Sequence, residues 1–146
     1  MTAVINFIVA AVLMGTTLMF GTLGEILTEK AGHLNLGVEG LVYMGGASGL
    51  VAAWLYEQAA GAGVSPLLGA VLAFVVAFLF AALGSLVYAF LTITLRANQN
   101  VAGLALAIFG VGIGKFIAEY YRQVAGGILG VSNELDRVFS GFVFPA

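Results

Sequence analysis

The sequence predicts an all-α fold, a polytopic bundle of about four transmembrane helices. Three observations lead there. Of 146 residues, 62% are hydrophobic and 8% are charged, against roughly 25% charged in soluble domains. A soluble domain of this size still leaves about 30% of its unfolded-chain surface in water, and this chain lacks the polar surface to cover that area. The charges also cluster: residues 1–24, 40–56, 58–95 and 97–114 carry none. Finally, these blocks do not alternate apolar and polar residues as barrel strands do. In hydrocarbon a helix pairs its own backbone groups.

Each block is long enough to cross about 30 Å of hydrocarbon at 1.5 Å per residue. The first span is placed near 3–24. No Lys or Arg precedes it, unlike the positive start of a secretory signal, so it reads as a retained span. The second is placed near 36–56. The turn Gly61-Ala62-Gly63-Val64-Ser65-Pro66 follows, and Pro66 suits the first turn of a helix, where its missing N–H costs nothing. The third span, near 66–93, is long for a bilayer and is expected to tilt. The fourth lies near 100–121. The tail, 122–146, is expected to hold a short helix from about 133 to 140, with Val138 and Phe139 against apolar surroundings. It then stops within the apolar run Phe142-Val143-Phe144-Pro145-Ala146, which reads as a truncated or partial chain. All 146 residues form one transmembrane segment. The loops holding Lys30 and Arg96 share one side of the membrane. The basic residues do not decide which side is cytoplasmic.

Composition also excludes functions. A net charge of −2 leaves no basic patch for nucleic acid. With no Cys and a single His, His33, neither a disulfide nor a zinc site is expected. No catalytic grouping and no GxxxxGK[ST] phosphate loop occurs. The chain reads as a non-enzyme with no metal and no cofactor.

Small residues mark the packing faces. Gly45 and Gly49 form a GxxxG pair, as do Gly110 and Gly114, and Ala77, Ala81 and Gly84 form a similar stripe. Such faces let helix backbones approach closely in lipid. Trp54 with Tyr56, and Tyr120 with Tyr121, read as interfacial aromatics. Lys115, Glu119 and Arg122 have the spacing of a helical charge pair. Asn6, Thr16 and Thr17 are expected to bond to backbone or a neighbouring helix.

Two polar islands interrupt the apolar pattern, at residues 24–40 and 92–100. Asn35, Glu39, Asn98 and Gln99 are the candidates for lining a solute path. Two structural alternatives stand beside that reading. Glu39 suits the start of a helix, where the dipole favours an acid, and Asn98 or Asn100 suits an N-cap. Arg96 is placed to pair with Glu25, Glu29 or Glu39.

These islands carry a resemblance. Residues 21–49, GTLGEILTEKAGHLNLGVEGLVYMGGASG, resemble the stretch after the first span of ABC-transporter permeases of the simple-sugar/nucleoside type, relatives of the ribose and branched-chain amino acid permeases. The matching residues are Glu29-Lys30-Ala31-Gly32 and Asn35-Leu36-Gly37-Val38-Glu39-Gly40. Residues 92–113, TITLRANQNVAGLALAIFGVGI, resemble the family's second marker, Arg-Ala-Asx-Gln-x-Val-x-Gly. The resemblance implies the N-terminal half of a larger permease fold, without the segment that docks an ATPase. It implies a subunit importing a nucleoside or simple sugar across the cell (inner) membrane. Its implied partners are a second permease subunit, cytoplasmic ABC ATPase subunits and an extracytoplasmic substrate-binding protein. A non-transporting membrane scaffold or remnant subunit is the alternative, and a small oligomeric channel a third.

Overall fold

The structure, a computed structural model, describes residues 2–133, 135, 136 and 138. Its four long helices are α1 (Thr2–Lys30), α2 (Val38–Ala60), α3 (Pro66–Ala89) and α4 (Gln99–Val124). A π-helical turn, Phe90–Thr94, continues α3. All four are long and apolar enough to cross a membrane, and no strand occurs among the described residues.

The helix ends follow local chemistry. α1 runs six residues past the expected limit at 24. Glu25, Glu29 and Lys30 end the charge-free block, but Glu and Lys are good helix formers, so charge marks the edge of hydrocarbon and not the end of the helix. The helix stops at Gly32, whose φ of +86° suits glycine. There the Gly32 N–H donates to the Glu29 carbonyl (2.9 Å) and the His33 N–H to the Thr28 carbonyl (2.9 Å). This pair of bonds is a Schellman cap. Pro66 occupies the first turn of α3. Asn98 caps α4, its side chain accepting from Asn100 N (3.0 Å) and Val101 N (3.3 Å). α4 ends in a second Schellman cap, with Gly126 N bonded to the Gln123 carbonyl and Gly127 N to the Arg122 carbonyl.

Glycines place α2 at the centre, flanked by α3 and α4. A Cβ at Gly49 would lie 2.9 Å from the Ala73 carbonyl oxygen and 3.1 Å from the Ala77 Cβ, and one at Gly45 3.0 Å from the Ala77 oxygen. On the opposite face, a Cβ at Gly110 would lie 2.5 Å from the Gly40 carbonyl, and one at Gly114 2.6 Å from the Tyr43 ring. Both GxxxG pairs therefore sit where backbones meet, which is how helices associate when lipid offers no hydrophobic drive. The side chains of Leu41, Met44, Val51, Ala53, Tyr88 and Ala102 fill the remaining core. α1 lies apart: its apolar stretch buries none of its residues, and Gly21 meets Val38 at its near approach to α2. Large apolar side chains elsewhere point outward, as at Phe7, Phe74, Phe78, Phe109 and Phe116.

The end of the bundle holding residues 57–65 is tied down by the tail. Ser132 donates its N–H and hydroxyl to the Glu57 carboxylate at 2.6–3.0 Å. Leu135 is fully buried, close to Gly69 and Tyr56. Asn133, Leu135, Asp136 and Val138 are helical, within the short helix expected at 133–140; Phe139 and Ser140 lie outside the described residues. At the same end Trp54 meets Tyr121 edge to face (6.1 Å), and Tyr121 meets Tyr120 (5.3 Å).

Candidate functional site

At the opposite end, both polar islands come together. The connector between α1 and α2, residues 31–37, is held from three helices. From α1, Glu25 Oε1 accepts the Asn35 N–H (2.9 Å), while Oε2 accepts from the Thr28 hydroxyl (3.1 Å). From α3, the Tyr88 hydroxyl donates to the Leu34 carbonyl (2.6 Å). From α4, Gln99 Oε1 accepts the Leu34 N–H (2.9 Å). The Gln99 amide nitrogen faces the Gly32 carbonyl (3.4 Å) and His33 Nδ1 (3.3 Å). Asn35 is buried and accepts the Gly37 N–H (2.9 Å). These bonds supply the connector with the backbone partners that a buried loop otherwise lacks.

Glycine again permits the approach. A Cβ at Gly103 would lie 2.7 Å from the Leu36 nitrogen, and one at Gly37 3.0 Å from the Gly103 carbonyl. The connector thus lies directly against the first turns of α4.

The four residues expected on the solute path divide. Asn35, Asn98 and Gln99 spend their side-chain groups on backbone: Asn35 on its own turn, Asn98 on the α4 cap, Gln99 on the connector. Glu39 stands apart from them, exposed in the first turn of α2. It shares with Glu25, Thr17, Thr22 and Tyr43 a groove of about 430 Å³ between α1 and α2. Thr22 turns its hydroxyl to the Leu18 carbonyl within α1. The Glu39 carboxylate and the Tyr43 hydroxyl line this groove without a hydrogen bond among the described residues.

Arg96 and Glu25 are not paired in the structure. Glu25 is taken by Asn35 and Thr28, and Arg96 is exposed. The ion pair among the described residues is Arg122–Glu119, the helical pair expected on α4. Arg96 has instead a positive φ of 51°, a region that residues other than glycine rarely enter. Two structural roles escaped the sequence reading. Nothing in sequence marked Arg96 as strained. Tyr88 did leave a signal: with Ser85 it interrupts the apolar stretch of α3, and a buried tyrosine hydroxyl needs a partner. No group of three or more His, Cys, Asp or Glu that could hold a metal occurs among the described residues.

The description "branched-chain amino acid transport system / permease component" belongs to a family model that matches residues 7–144. The chain belongs to this permease family. It is 35% identical over 120 residues to a putative glucose ABC transporter permease of Haloferax volcanii, covering 78% of this chain and 31% of that protein. It is 31% identical to a guanosine ABC transporter permease of Bacillus subtilis, covering 80% and 35%. A nucleoside ABC transporter permease of Lactococcus lactis is 29% identical, covering 82% and 36%. This permease chain thus spans about a third of the length of these curated relatives. No solved structure matches it. Family membership and four apolar helices make it a multi-pass membrane protein.

Proposed function

We propose that this chain forms part of the membrane subunit of an ABC importer for a nucleoside or simple sugar, in the cell (inner) membrane. Its partners are then a second permease subunit, cytoplasmic ATPase subunits and an extracytoplasmic substrate-binding protein. Family membership supports the transport class, and the glucose, guanosine and nucleoside permeases among its relatives support the solute class.

The observation that carries the reading is the groove between α1 and α2. It combines apolar walls with the Glu39 carboxylate, and a carboxylate accepts hydrogen bonds from paired hydroxyls on a sugar or ribose. In this reading Glu39 meets the solute, while Asn35, Asn98 and Gln99 border the path and hold its shape. Uptake in the full-length permease, assembled with its ATPase and binding protein, tests this. Glu39→Gln keeps the size and removes the charge, and uptake is expected to fall about tenfold at unchanged membrane levels, the loss typical of a hydrogen bond to a charged group. Wild-type uptake by the variant would overturn the role of Glu39.

A further inference from the structure

The groove between α1 and α2 has few polar groups to spare. Thr17 and Thr22 turn their hydroxyls to the Leu13 and Leu18 carbonyls within α1. The Glu25 carboxylate is engaged by the Asn35 N–H and the Thr28 hydroxyl. That leaves the Glu39 carboxylate and the Tyr43 hydroxyl, among walls formed by Leu18, Val38 and Val42.

Glu39 and Tyr43 are four residues apart, so they share one face of α2 with about 5–6 Å between their Cβ atoms. The Tyr43 ring is backed by α4. A Cβ at Gly114 would lie 2.6 Å from ring atom Cδ1 and 3.0 Å from the Tyr43 carbonyl oxygen. The missing side chain at Gly114 thus lets the ring settle against the α4 backbone. Tyr43 is nonetheless 44% exposed, which leaves ring surface open to a ligand.

This inventory separates two kinds of solute. A simple sugar carries hydroxyls around its whole ring, and each one taken from water needs a partner. Two free groups cannot serve them all. A nucleoside confines its hydroxyls to the ribose and adds a flat base with apolar faces, which stacks on an aromatic ring. Resting on the importer reading above, we propose that the groove admits a nucleoside in preference to a simple sugar, with the ribose hydroxyls on Glu39 and the base stacked on Tyr43. Tyr43 is then the residue that sets specificity.

Saturation-transfer difference NMR on the full-length permease in lipid nanodiscs tests this, with inosine, uridine and glucose as probes. At least one nucleoside is expected to take up saturation on its base protons, and more of it than glucose does. Tyr43→Leu fills the space without an aromatic face. It should weaken nucleoside binding about tenfold, the effect of one lost base stack, whereas Tyr43→Phe should retain it. Nucleoside binding unchanged in Tyr43→Leu overturns the role of Tyr43. If that variant fails to fold, the wild-type comparison still decides between the solute classes. Glucose saturation equal to or above that of both nucleosides overturns the inference and leaves the importer reading intact. No saturation of any probe overturns it too, while uptake by Glu39→Gln remains the separate test of that reading.

Discussion

Gly110→Leu is expected to destroy the folded bundle, while Gly112→Leu, two residues away on the same helix, leaves its stability unchanged. A side chain at Gly110 would enter the backbone of Gly40, with Cα, carbonyl carbon and oxygen all within 2.5–2.6 Å of the new Cβ. Backbone cannot move aside as a flexible side chain can. Even ordinary overpacking costs about 1–3 kcal/mol, and this clash forces α2 and α4 apart along their whole crossing. Total stability of a folded domain is only about 5–15 kcal/mol. At Gly112 nothing lies within 4 Å, so leucine there projects outward and improves helix propensity. Thermal unfolding in detergent, followed by circular dichroism, separates the two. Gly110→Leu should lose its cooperative transition. A wild-type transition in that variant would mean that α2 and α4 do not cross at Gly40.

Gln99→Leu is expected to free the connector without unfolding the helices. The leucine removes the acceptor of the Leu34 N–H and the donor facing Gly32 and His33. A partly buried N–H left without a partner costs about 1–3 kcal/mol. Hydrogen exchange at Leu34 should therefore accelerate by about tenfold or more, with helix content unchanged. Gln99→Glu keeps an acceptor and loses the donor, so its exchange rate should fall between the two. Unchanged exchange in Gln99→Leu would show that other contacts hold the connector.

The architecture was legible because hydrocarbon imposes few choices. Charge-free blocks predict helices, and Gly45, Gly49, Gly110 and Gly114 predict where they meet. The structure puts Gly45 and Gly49 against α3, and Gly110 and Gly114 against α2. Pro66 and Asn98 announced helix starts, and Glu119 with Arg122 an ion pair. The site was less legible. A polar residue between two spans reads the same whether it meets solute or backbone. Asn35 and Gln99 have identical signals for both, and only the fold brings Gln99 to Leu34, 65 residues away in sequence. Glu25 looked like a partner for Arg96 because charge alone was visible. The Asn35 N–H and the Thr28 hydroxyl, which occupy it, carry no formal charge. The end of α1 was missed for a related reason, since composition locates the membrane boundary and the Gly32 cap locates the helix boundary.

The central claim is that α2 is packed against its neighbours through small residues while the chain sits in the membrane. The absence of cysteine allows a direct measurement. A Cβ at Gly45 lies 3.5 Å from the Ala81 Cβ, within the range that a disulfide spans. Gly45→Cys with Ala81→Cys should therefore cross-link on mild oxidation in native membranes. Gly46→Cys with Ala81→Cys should not, because Gly46 has no neighbour within 4 Å. Cross-linking of the first pair alone is the predicted result. Equal cross-linking of both pairs, or of neither, with the chain recovered in the membrane fraction, would contradict the packing of α2 on α3 through Gly45.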